Sequence, residues 1–121
     1  MPGNSENILA NQVHPGDSTP ETVTGEHYKG DGYYGRSDGL HTVQINVDGF
    51  IGTIVIQGTL ATTPESTDWF TISNTEHTSI ATTDSNSSGS FIYNFTGNYV
   101  WVRAYVNSWT DGTVQSIILN H

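Results

Sequence analysis

The 121-residue chain has no cysteine, only three basic residues (Lys29, Arg36 and Arg103) against twelve acidic ones, and only 12% charged side chains. Without cysteine there is neither disulfide nor thiolate chemistry, and the redox compartment is left open. Three cations in a chain of net charge −9 cannot lay down a basic stripe, so nucleic acid is not an expected partner. Runs of eighteen apolar residues are also missing. The opening Met-Pro-Gly-Asn-Ser-Glu lacks the basic and apolar regions of a secretory signal, so no membrane association is expected. Helical periodicity is nearly absent, as is any internal repeat, which excludes solenoids and propellers.

What remains is a single domain of uncharged polar and β-forming residues, long enough to bury roughly two-thirds of the surface of its unfolded chain. Residues 1–26 carry three of the four prolines and only scattered apolar groups, among them Ile8, Leu9, Val13 and Val23. Such a segment does not repay its ordering entropy by itself and is expected to be an extended arm that orders only against a neighbour. From His27 onward, short alternating segments separated by Gly, Asp, Asn and Ser predict an all-β, two-layer antiparallel β-sandwich of seven or eight strands, jelly-roll-like or immunoglobulin-like, over residues 27–121. Val43, Ile45 and Val47 share one face of the first clear strand, and Asp48-Gly49 then predicts a hairpin turn into residues 52–60. Residues 68–73 predict another short strand, and the polar stretch 82–90 a loop with a mobile tip. Residues 91–95, 99–106 and 113–119, separated by Thr96-Gly97-Asn98 and Asp111-Gly112, predict a three-stranded meander.

Catalytic signatures are absent. The five histidines, at positions 14, 27, 41, 77 and 121, show no metal-ligand spacing. Asp31 and Asp38 sit among Gly30, Gly32, Gly35 and Gly39, but without the spacing or closing glutamate of a calcium loop they are turn residues. The same glycines open no helix and so form no phosphate cradle. No serine lies in a Gly-x-Ser-x-Gly elbow, and Asp68 beside Trp69 is best read as a turn residue. The sequons Asn86-Ser-Ser and Asn94-Phe-Thr carry no weight without secretion. No catalytic residue, cofactor or metal is therefore expected. The feature left over is the row Tyr99, Trp101, Arg103 and Tyr105, which alternates against Val100, Val102, Ala104 and Val106; aromatics and arginine on one face of a sheet either pack across strands or meet a partner.

The phrases Gly32-Tyr-Tyr-Gly-Arg-Ser-Asp-Gly-Leu-His-Thr-Val-Gln-Ile-Asn-Val47, Gly49-Phe-Ile-Gly-Thr-Ile-Val-Ile-Gln-Gly-Thr-Leu60, Thr63-Pro64 with Asp68-Trp-Phe70, and Asn94-Phe-Thr-Gly-Asn-Tyr-Val-Trp-Val-Arg103 resemble small virion structural proteins of tailed phages, especially those of marine cyanobacteria. The resemblance covers roughly residues 30–121 and contains no active-site motif. It implies a non-enzymatic component of the phage particle surface: a capsid decoration or cement protein bound to the major capsid protein or another virion protein, otherwise a neck, tail or fibre module, and a homo-oligomer with a trimer favoured. In that expectation Tyr99, Trp101, Arg103 and Tyr105 make subunit contacts, and Ile8, Leu9 and Val13 anchor the arm. The alternative is a carbohydrate- or receptor-binding module presenting Trp101 or Trp109 to sugar rings.

Overall fold

Two alternating stretches long enough to cross the molecule twice organise the chain. A computed structural model describes residues 5–9, 11–14, 20–30, 40–65, 67–72, 75–81, 83–97 and 99–120. The strands among them are β1 (Ser5–Leu9), β2 (Gln12–Val13), β3 (Glu21–Thr24), β4 (Tyr28–Lys29), β5 (Leu40–Thr59), β6 (Phe70–Thr71), β7 (His77–Ser79), β8 (Gly89–Thr96) and β9 (Trp101–Asn120), and these residues include no helix. All pairings are antiparallel.

β5 and β9 are 20 residues each, several times the usual roughly 5–6, and they pair from Thr42 opposite Asn120 to Thr59 opposite Trp101. A flat ribbon of that length would leave apolar side chains in water. Both strands instead bend at the same level, where their register shifts between Asp48 and Thr53 of β5. Gly49, Ser108 and Gly112 take positive φ there (66, 51 and 88°). The backbones approach so closely that a Cβ on Gly112 would lie 2.1 Å from the Gly49 carbonyl oxygen. Gln115 is the extra residue of a bulge, because Asn46 faces Ser116 while Val47 faces Val114.

The crease folds the strip onto itself. One layer holds β8, the first half of β5, the second half of β9, and β1 with β2; the other holds β6 and β7, the second half of β5, the first half of β9, and β3 with β4. Val43, Ile45, Phe95, Ile117 and Leu119 of the first layer and Ile54, Ile56, Val102, Ala104 and Val106 of the second belong to one buried cluster, with Phe50 and Trp109 at the bend. The protein is thus the all-β, jelly-roll-like antiparallel sandwich its alternation predicts.

Several expectations are corrected. Asp48-Gly49 and Asp111-Gly112 are not hairpin turns: each lies inside a continuous strand, so neither the 40–60 hairpin nor the C-terminal meander forms. A positive-φ glycine between alternating runs can reverse a chain or crease it, and the long β5–β9 pairing selects the crease. The predicted strand at 68–73 shrinks to the two residues of β6. Most consequentially, the segment read as an arm is part of the sheet: β1, β2 and β3 all pair with β9, and Ile8 (1% exposed) and Leu9 lie in the domain's own core. Burial under the chain's own β9 supplies the apolar contact that this segment lacks locally. The polar stretch expected to have a mobile tip is bound to the layers. Asp84 accepts from the Asn86 and Ile80 amides, Asn86 Nδ2 donates to the Thr78 carbonyl, and the Phe50 amide donates to the Ser87 carbonyl. The candidate calcium and glycine cluster of Asp31, Gly32, Gly35 and Asp38, with Arg36 and Gly39, lies outside the described residues.

Candidate functional site on the outer face of the second layer

Because side chains alternate across a strand, burying Val102, Ala104 and Val106 forces Trp101, Arg103 and Tyr105 onto the outer face of the second layer. Register places Thr59 opposite Trp101, Gln57 opposite Arg103 and Val55 opposite Tyr105 on β5; on the other flank Lys29 faces Trp101 and Thr24 faces Tyr105. Directly opposed side chains share a face.

Two loops complete this surface. In the loop before β6, the Asp68 amide donates to the Glu65 carbonyl (3.1 Å) and the Asp68 carboxylate accepts from the Glu65 amide (2.8 Å), the turn role its position predicts. This closed turn delivers Trp69 over the sheet, with its ring centre 4.3 Å from the Arg103 guanidinium carbon. The amides of Gly25, just after β3, and Gly30, just after β4, donate to the carbonyls of Ala104 and Val100, pinning the chain on both sides of His27 to β9. His27 meets the Trp101 ring edge-on at 4.6 Å and lies 6.2 Å from the Trp69 ring. Trp101 Nε1 donates to the Thr62 carbonyl (3.1 Å), and Arg103 Nε donates to Gln57 Oε1 (2.8 Å).

Trp69, Trp101, His27, Arg103 and Gln57 therefore form one cluster drawn from four segments. None belongs to the core cluster, and all are half-buried except His27, which is exposed. Partial burial lowers the Arg103 guanidinium from its ordinary value, which still leaves it charged at neutral pH. Its terminal amino groups have no acceptor among the described residues. Chemically the cluster offers flat apolar rings beside directed hydrogen-bond donors and an amide, the combination that holds a ligand with one apolar face and a polar rim.

The structure splits the predicted row. Trp101, Arg103 and Tyr105 remain together, but a bend at Val100 breaks the alternation and sends Tyr99 to the inner side. There it packs against the core, over Gly58, so closely that a Cβ on Gly58 would lie 2.5 Å from Tyr99 Cδ1. Tyr99 lines a separate depression of about 390 Å³ with Leu60, Asp68 and Phe70. Ile8 and Leu9, being buried in this chain's core, do not present a surface to another molecule, whereas Val13 is 66% exposed on β2. Trp109 is also withdrawn from the glycan-facing role: it is 3% exposed, donates Nε1 to the Asp111 carbonyl and packs edge-on against His14. Sequence reasoning missed His27, Gln57 and Trp69 as members of the site. The one available signal was Trp69 as a second tryptophan beside a turn, and no local pattern marks the other two.

Three further histidines are structural. His14 lies 3.0 Å from the Glu21 carboxylate, and His41 stacks on Phe95 at 4.6 Å. His77 is fully buried, with Nδ1 2.7 Å from the Tyr93 hydroxyl and Nε2 2.9 Å from the Asn86 carbonyl. A carbonyl only accepts, so Nε2 carries the proton and Nδ1 accepts from Tyr93. Burial pushes His77 below the usual imidazole value and Tyr93 above the usual phenol value. Among the described residues no three His, Asp or Glu side chains converge as metal ligands would.

No family model and no curated protein matches the chain. Among solved structures, it is similar to CBM29_1, a family 29 carbohydrate-binding module from Piromyces equi, with a TM-score of 0.50 and 7% identity over 100% of this chain and 93% of that one. It is also similar to the carbohydrate-binding module CBM6cm-2 of Cellvibrio mixtus lichenase 5A, solved with cellotriose, with a TM-score of 0.46 and 12% identity over 100% of this chain and 98% of that one. At these identities the likeness establishes the fold alone.

Proposed function

We propose that the protein is a non-catalytic carbohydrate-binding module that holds its ligand on the outer face of the second layer. The observation that carries this reading is the Trp69–His27–Trp101 cluster, with Arg103 and Gln57 beside it, lying outside the core of a fold whose sequence has no catalytic signature. Pyranose rings have an apolar C–H face that stacks on indole and a polar rim that takes up amide and guanidinium donors. A sandwich of the architecture seen in the Piromyces equi module is a rigid frame for such a platform.

The test is binding of the purified chain to a panel of soluble oligosaccharides, followed by calorimetry on any hit. Trp69→Ala is expected to weaken binding about tenfold or more, as losing a central aromatic contact does, while the melting temperature stays close to wild type. A panel without hits, or an unchanged affinity for the Trp69→Ala variant, refutes the reading. A virion subunit of the kind the sequence resembles would place the same face against a protein lattice, so localisation of the chain on an imaged particle discriminates the two roles.

A further inference from the structure

We infer that the ligand of this face is an acidic glycan, bearing carboxylate or sulfate groups, and that Arg103 is the residue that selects for it. The inference rests on the aromatic cluster being the glycan contact. The whole chain has three cations against twelve acids. Two of them, Arg103 and Lys29, share this one face, because Lys29 is in register with Trp101, two residues from Arg103 on β9. Diagonal neighbours of that kind lie about 7–8 Å apart, within reach of a single sugar unit for side chains of this length. The third cation, Arg36, lies outside the described residues.

Arg103 is also held in a particular way. Trp69 covers one face of its guanidinium and Gln57 takes up Nε, so the planar fork is fixed at its base while its two terminal amino groups have no acceptor among the described residues. Among the described residues no carboxylate pairs with Arg103. Asp68, the acid next to Trp69 in sequence, is turned back onto its own turn at Glu65. A half-buried cation with no carboxylate partner among the described residues favours an anionic ligand, and a planar fork suits a carboxylate or sulfate oxygen pair better than a lone hydroxyl. The net charge of −9 does not oppose this at working ionic strength: beyond about 8 Å the remaining acids are screened, whereas a contact pair is not.

The experiment is calorimetry of the full chain with three oligosaccharides of matched length: a neutral glucan, a polygalacturonate and a sulfated galactan. One acidic oligomer is expected to bind about tenfold or more tighter than the neutral one, the gain from a charge-assisted bidentate contact. That preference should fall several-fold between about 50 mM and about 500 mM NaCl, while neutral binding barely changes. The uronate and sulfate arms identify which anion is read. Arg103→Gln is expected to weaken acidic binding far more than neutral binding, so that the preference and its salt dependence are both lost. Arg103→Lys, which keeps the charge without the fork, is expected to keep the salt dependence and lose most of the preference. Equal or tighter binding of the neutral oligomer, or a preference that survives Arg103→Gln, overturns the inference while leaving the aromatic platform intact. Binding to none of the three overturns the platform as well. Should Arg103→Gln fail to fold, the salt series on the wild-type chain still tests the preference for an anion and Arg103→Lys still tests its assignment to Arg103.

Discussion

Replacing Gly112 by alanine probes the crease that makes two layers out of one strip. Gly112 has φ 88°, a conformation costing an L-residue about 1–2 kcal/mol. Its new Cβ would lie 2.1 Å from the Gly49 oxygen and 2.5 Å from the Phe50 nitrogen, backbone atoms that no side-chain rotation can clear. Forcing β5 and β9 apart at that point costs about a further 1–3 kcal/mol, as overpacking does. The sum centres near 3.5 kcal/mol, which for a domain of this size, at about 4 °C per kcal/mol, lowers the melting temperature by about 14 °C. Gly49 is the control. It also has positive φ (66°), but a Cβ there meets nothing within 4 Å, so Gly49→Ala should cost only the conformational part, about 1–2 kcal/mol. Urea unfolding and thermal melts followed by circular dichroism measure both variants. Equal destabilisation of the two, or a Gly112→Ala variant within about 1 kcal/mol of wild type, would show that close packing of the two backbones does not set the bend.

Two other outcomes are expected. The His77 imidazole titrates below its unfolded value of about 6.5, so the unfolded chain takes up the proton first as pH falls. The stability supplied by neutral His77 is therefore complete above about pH 6.5 and declines as pH drops toward its lowered folded value, by at most about 1.4 kcal/mol per pH unit. His77→Gln, which can still donate to the Asn86 carbonyl and accept from Tyr93, should be less stable at neutral pH yet show a flatter dependence between about pH 7 and pH 5; an unchanged slope in urea unfolding rejects the assignment. Ile8→Ala should cost about 2–5 kcal/mol, because Ile8 is buried within the core cluster, whereas a residue on a free tether would cost nearly nothing. Chemical denaturation separates those results directly.

The alternations Val43–Ile45–Val47 and Val102–Ala104–Val106 were legible from sequence alone, and with them the β class, the layered architecture and the outward placement of Trp101, Arg103 and Tyr105, because a period of two is a local property of the chain. Composition likewise determined the absence of thiol chemistry and the scarcity of cations. Only tertiary structure decided whether Asp48-Gly49 and Asp111-Gly112 reverse the chain or crease it, since both outcomes share one local signature and pairing along the full length of β5 and β9 chooses between them. The same holds for Ile8, whose burial depends on a strand more than 100 residues away at Ile117 and Ile118. Trp69, His27 and Gln57 joined the site for a related reason: Gln57 and Arg103 are 46 positions apart and meet only because their strands are in register. Alternation chooses the face on which a side chain lies, a matter of backbone geometry at that residue; which other side chains share that place is fixed by long-range pairing and loop closure, and no short window of sequence contains them.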